Sequence, residues 1–172
     1  MMFFVCLLFY VGVNAQGKKP LNVICDRGDT TKGRPPLSAV GLDSSDPAHF
    51  GEQVWLTMFK GKRVFNFTWK QMDGSKPDLA KNLGLRSVNI KLDNDSLVVL
   101  YSSSRPRIIK NDYWWFQADV SNDEIKQFTS HKMVFITFVA GNNVQYPLFS
   151  FNGAEQSGIE TASRCFFYNT QK

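Results

Sequence analysis

The chain has 172 residues, a formal net charge of +5 and 43% hydrophobic residues, with phenylalanine unusually common at fifteen. That length supports one domain with a proper core, so the chain is not a mini-protein that depends on staples. The modest charge gives no domain-wide basic stripe, which excludes a nucleic-acid binder and weakly favours acidic proteins, anionic glycans or lipid headgroups as partners.

Residues 1–15 form an uninterrupted apolar run, shorter than the roughly twenty residues a bilayer span needs. The run ends in Val13-Asn14-Ala15, and Gln16-Gly17-Lys18-Lys19 come directly after it. This reads as a signal peptide cut after Ala15, leaving a single domain over residues 16–172 with no transmembrane anchor. No Lys or Arg precedes the apolar core, which points to a start further upstream or to an atypical signal; an uncleaved anchor is the alternative reading. Cys6 leaves with the signal. The expected location is exported, either periplasmic or secreted.

Strands dominate the chain from residue 20 onward. Residues 20–26 are short and apolar, and residues 27–51 are a long loop rich in Gly, Pro, Ser and Asp, with one short strand near 37–40. Residues 52–60 and 63–72 flank Gly61-Lys62 and predict a hairpin. In its second arm Phe65, Phe67 and Trp69 alternate with Val64, Asn66 and Thr68, so one face is strongly aromatic and Asn66 falls on the outer one. Residues 74–84 are a loop or a single helical turn. Residues 87–92 and 96–103 form a second hairpin around Asp93-Asn94-Asp95, and 112–120 form a further strand. Ser121 and Glu124 have capping-box spacing and open a short helix through Phe128. Residues 131–141 and 143–151 complete the strands.

The chain then finishes on a second helix. Asn152 can cap it, with Glu155 at the box position. Ala154, Gly158, Ala162 and Cys165 recur at helical spacing beside Ile159, a small apolar face that can lie close to a sheet and turn Cys165 inward. Cys25 and Cys165 are the cysteines of the mature chain, and an even count in an exported protein predicts one disulfide. Neither sits in a Cys-x-x-Cys pattern, so a metal or redox role is not expected. The expected fold is all-β with two short helices: an antiparallel β-sandwich or open barrel, its C-terminal helix stapled to the first strand.

The order of these pieces resembles a known group. An early strand ends in Cys25, hairpins come next, and residues 147–165 run through Phe149, Phe151, Gly153, Ile159 and Cys165. This is similar to small exported bacterial β-sandwich proteins associated with type VI secretion, and more loosely to the invasion-associated locus B proteins. The resemblance covers roughly residues 87–165 plus Cys25. It implies an envelope location and no known catalytic site. Phe166 and Phe167 stand where that group places a Trp shortly after the last Cys.

The search for chemistry is mostly negative. His49 and His131 are the only histidines, each at the end of an element, and no Gly-x-Ser-x-Gly stretch supplies a nucleophile. Asp93-Asn94-Asp95-Ser96 is the one dense oxygen cluster, and it lacks the Gly and distal Glu of a calcium loop. No phosphate loop or dinucleotide fingerprint is present, so no cofactor or metal is expected. Residues 60–63 form a basic hairpin tip. A candidate binding patch joins Arg105, Arg107 and Lys110 to Tyr113 and Trp115. Of the four aromatics in residues 113–116, alternation sends two to the core and two to the other side. The latter form a binding patch if that side faces solvent and are simply core if helices or loops cover it, which is the preferred reading. Pro106 stiffens the turn between the two arginines. Asn66-Phe67-Thr68 and Asn94-Asp95-Ser96 are glycosylation sequons that matter only in a source that uses them.

These residues lead to one preferred expectation: an exported cell-envelope binding or accessory protein acting by contact with an envelope or secreted protein. An inhibitor or glycan-binding module is the alternative. A hydrolase with a site assembled from scattered residues is the third, and enzymatic activity is not expected.

Overall fold

The computed structural model describes residues 23–42, 53–70, 85–104, 107–109, 113–141, 143 and 145–171. The expected signal segment with its expected cut after Ala15, the turn expected in 74–84, and His49, Arg105 and Lys110 lie outside the described residues.

Ten strands and two helices run in chain order: β1 (Val23–Asp26), β2 (Leu37–Gly41), β3 (Gln53–Phe59), β4 (Lys62–Lys70), β5 (Leu85–Leu92), β6 (Leu97–Tyr101), β7 (Arg107–Ile109), β8 (Tyr113–Asp119), α1 (Asn122–Ser130), β9 (Met133–Ala140), β10 (Gln145–Ser150) and α2 (Gly153–Asn169). They build a six-stranded sheet, β1-β2-β3-β4-β8-β7, and a four-stranded sheet, β10-β9-β5-β6. Every pairing is antiparallel. The fold is therefore the expected two-sheet, all-β architecture.

The core is what the alternation demands. Val54, Leu56, Phe65, Phe67, Phe116 and Ala118 from one sheet meet Val88, Ile90, Val98, Leu100 and Ile136 from the other, all buried. Trp69 packs against this cluster, with its ring edge-on to Phe138 at 6.0 Å. Aromatic rings dominate here because each buries a large area and meets its neighbours at tilted angles.

The sheets join along one side. Beyond β6 the chain crosses over: Ser102 bridges Ala118, and the Ser103 amide donates to the Gln117 carbonyl at 2.9 Å. β7 then continues along β8. The sequence puts a turn at Arg105-Pro106-Arg107 and no strand between 103 and 112, but Arg107–Ile109 pairs with β8 as a three-residue edge strand. Among the described residues no barrel closes; β1 and β10 end their sheets. The helix α2 lies across β1, β2 and β3 and also touches β9 and α1.

Both helices start on capping boxes. Ser121 Oγ accepts from the Glu124 amide at 3.2 Å, and Glu124 accepts from the Ser121 amide at 2.6 Å. Asn152 Oδ1 accepts from the amides of Ala154 and Glu155, and Glu155 accepts from the Asn152 amide at 2.7 Å. Ile125 and Phe128 of α1 plug into the core.

The α2 helix differs from expectation in two respects. It has 17 residues and runs past Cys165 to Asn169. Its buried face is Glu155, Gly158, Ile159, Ala162, Ser163 and Phe166. Ala154 is exposed and Cys165 only half-buried. The stripe centres on Ile159, Ala162 and Phe166 because Phe166 is the large side chain that reaches the core, which leaves Ala154 and Cys165 on one flank. The Cys25–Cys165 disulfide forms as expected, joining β1 to α2 with Cα atoms 6.0 Å apart. It sits at the surface flank, with Cys25 exposed.

The β3–β4 turn is Lys60-Gly61, one residue earlier than expected. Both have positive φ, 49° and 77°. A two-residue turn of this hand matches the strand twist, and it needs positive φ at both positions. In β10 the register shifts between Pro147 and Phe149, where proline supplies no ladder donor. No helix among the described residues is long and apolar enough to cross a membrane.

Candidate functional site

The outer side of the six-stranded sheet gathers aromatic and amide side chains in adjacent rows. Register places Trp55 of β3 beside Asn66 of β4, and Asn66 beside Gln117 of β8. The next row pairs Gln53 with Thr68, Thr68 with Trp115, and Trp115 with Arg107 of β7. Paired residues share a face, so this is the face opposite Val54, Phe65, Phe67 and Phe116.

Trp55 and Trp115 stand on the two strands that flank β4 and stack with ring centroids 6.0 Å apart. Both are half-buried. Asn66 and Thr68, on the strand between them, are 0% exposed. The buried amide of Asn66 is fully used. Its Oδ1 accepts from Trp115 Nε1 at 3.0 Å and from Gln117 Nε2 at 3.1 Å, and its Nδ2 donates to the Val64 carbonyl at 3.3 Å. A buried amide left unpaired would cost about 1–3 kcal/mol, so this network fixes the indole at a set angle.

The candidate patch is thus partly assembled. Tyr113 and Trp115 are half-buried on the outer face, while Trp114 and Phe116 are buried on the core side, as alternation predicts. Trp114 stacks on Trp69 at 6.4 Å. Arg107 stands opposite Trp115 in the register. Arg105 and Lys110 lie outside the described residues. The sequence reading missed Trp55, Asn66 and Gln117 as members. Trp55 carried a signal, since it alternates with the core residues Val54 and Leu56. Asn66 takes the expected face, but it is buried there beneath the indoles. A glycan on its amide is incompatible with this fold.

The other polar clusters have structural partners. In the basic tip, Lys62 pairs with Asp119 at 2.6 Å and Arg63 donates to the Thr170 carbonyl at 3.0 Å. Lys60 lies over the Phe59 ring. In the β5–β6 turn, Asn94 Oδ1 accepts from the Ser96 amide and hydroxyl, and Lys91 pairs with Asp95 at 2.9 Å. His131 Nδ1 lies 3.4 Å from Asp93 Oδ1 at the surface, and no serine bonds to that imidazole among the described residues. Among the described residues no three His, Cys, Asp or Glu side chains converge as a metal site would require.

A second concavity lies at the disulfide end of the molecule. Loop residues 27–29 and 33–36, Met58 of β3, and Tyr168, Asn169 and Thr170 of α2 and its cap line a groove of about 970 Å³.

No family model, no curated protein and no solved structure matches this chain.

Proposed function

We propose that the chain is an exported binding protein of the cell envelope that works by surface contact rather than by catalysis. The observation that carries this reading is the Trp55–Trp115 pair. Two stacked indoles stand half-buried on the outer side of a sheet, and a buried asparagine holds one of them in place. Rigid aromatic side chains give large contact area at low entropic cost, and they are enriched at interface centres. The disulfide and the N-terminal apolar run support an oxidising, exported setting. The partner is an envelope or secreted protein, and the net charge of +5 favours an acidic one.

Photo-crosslinking tests this reading. A photoreactive side chain in place of Tyr113 should capture one defined partner from the envelope of the source cell. Trp55→Ala combined with Trp115→Ala should abolish that product while the protein stays folded. Correct export with no cross-linked product would sink it.

The same face favours a second reading, a glycan ligand, because half-buried indoles on the outer side of a sheet can stack on a sugar ring. Titration with soluble acidic polysaccharides while tracking tryptophan fluorescence separates the two. A saturable shift lost in Trp115→Ala would favour the glycan.

A further inference from the structure

The groove beside the disulfide is a second site, with a lining that shares no residue with the indole face. One wall is the β1–β2 loop, which begins just after Cys25. The other is the last turn of α2, just after Cys165. The disulfide therefore sets the spacing of the two walls, at a Cα–Cα distance of 6.0 Å. Asn169, in the groove lining, turns its amide toward both sulfurs, 3.3 Å from Cys165 Sγ and 3.9 Å from Cys25 Sγ.

The loop wall is built to hold its shape. Asp29 and Arg34 exchange backbone hydrogen bonds at 2.8 and 2.9 Å. Asp26 accepts from the Gly28 amide at 2.8 Å. Gly28 has a φ of +69°, and a Cβ there would lie 2.5 Å from the Arg34 carbonyl oxygen, so only glycine lets the loop fold back on itself. Pro35 and Pro36 stiffen its exit. A wall that is already ordered loses little entropy when a ligand docks.

Two of its cations have no carboxylate partner among the described residues. These are Arg27 and Arg34, both exposed in the lining. The nearby acids are engaged elsewhere: Asp26 holds Gly28, and Asp29 accepts from the Thr31 hydroxyl at 2.6 Å and pairs with Lys32 at 3.5 Å. The lining also holds Asp29, Asn169 and Thr170, and beside them an apolar and aromatic surface of Met58, Pro36 and a Tyr168 that is 73% exposed.

We infer that this disulfide-spaced groove binds an extended acidic peptide segment, with carboxylates on Arg27 and Arg34 and an apolar side chain against Met58 and Tyr168. Charge complementarity selects an acidic ligand. The apolar Met58 and Tyr168 in the same lining select a peptide over a polysaccharide, which has no apolar side chain to place there.

Fluorescence anisotropy with a labelled peptide alternating glutamate and leucine tests the inference. Binding should saturate and weaken as salt rises. Arg27→Ala with Arg34→Ala should weaken it about tenfold or more. Both side chains are exposed, so near-ultraviolet circular dichroism should be unchanged in that variant. A peptide alternating glutamine and leucine should not bind. Mild reduction should weaken binding while the β-sheet signal persists. Absence of saturable binding overturns the proposal, as does equal affinity in the double variant. Binding of heparin at this site without binding of the peptide also overturns it. A reduced protein that binds as tightly overturns the role given to the disulfide.

Discussion

Trp115 Nε1 donates to Asn66 Oδ1 at 3.0 Å across two neighbouring strands, and the asparagine is 0% exposed. A side chain that alternation places on the outer face is thus sealed beneath the indoles of its own sheet. The same oxygen accepts from Gln117, so one amide organises two neighbours.

Asn66→Ala should lower stability by about 1–3 kcal/mol, because it removes the acceptor shared by two part-buried donors. Denaturant unfolding monitored by tryptophan fluorescence would measure the loss and report the indole's altered environment. A variant as stable as the wild type would show that the network is idle.

Cys25→Ser and Cys165→Ser should each cost about 2–5 kcal/mol, since the bond closes a loop of 140 residues. The two-sheet core should still form, because most of its buried rings, such as Phe65, Phe67, Phe116 and Phe128, belong to elements the staple does not join. The double variant should match either single one. Thermal melts of all three decide it, and unchanged midpoints would count against a stabilising staple.

Ser38 on β2 and Ser163 on α2 each bury a hydroxyl with no hydrogen-bond partner among the described residues. Their small size suits a helix seated closely on the sheet, but the hydroxyls themselves contribute nothing there. Ser163→Ala should be neutral or stabilising by up to about 1 kcal/mol, since alanine removes the buried polar atom and favours the helix. A clear loss of stability in chemical denaturation would reveal a partner for that hydroxyl.

The Asp29 carboxyl is held below its ordinary value, chiefly by the Thr31 hydroxyl and then by Lys32. A depressed acid contributes order that is full above its unfolded pKa and lost as pH falls through its folded one. The β1–β2 loop should therefore loosen only in acid, below the usual carboxylate range. Amide exchange at Thr31 and Lys32, measured by NMR against pH, should rise there. Asp29→Asn should shift that onset or remove it. Exchange rates that ignore the carboxyl would contradict the assignment.

Much of the fold was legible. Phe65 and Phe67, set against Asn66 and Thr68, gave the faces of β4, because side chains alternate along any strand whatever its neighbours. Both capping boxes were legible for the same local reason, since Ser121 with Glu124 and Asn152 with Glu155 satisfy amides within one turn. The Cys25–Cys165 pairing came from counting. The Lys60-Gly61 turn was misplaced by one residue, because turn position depends on which cross-strand pairs form.

The candidate sites were less legible. Trp115 was singled out from its neighbours in sequence, yet its contacts Trp55, Asn66 and Gln117 are set by the register of β3, β4 and β8. A one-residue slip in either pairing would have parted them. The end of α2 was also not local: Phe166 finds its place in the core only after both sheets are assembled. That choice of face moves Cys165 to the flank and brings Tyr168 and Asn169 against the loop that holds Arg27 and Arg34.

The sequence by itself determined most of the element types, the edge strand β7 excepted, together with the helix starts and the partners of the disulfide. Each depends on chemistry within a few residues or on a pair with no competitor. Only the tertiary structure decided that two indoles meet over a buried amide and that a staple spaces the walls of a groove. Those relationships join segments distant in the chain, and register and packing, not local propensity, set the distances between them.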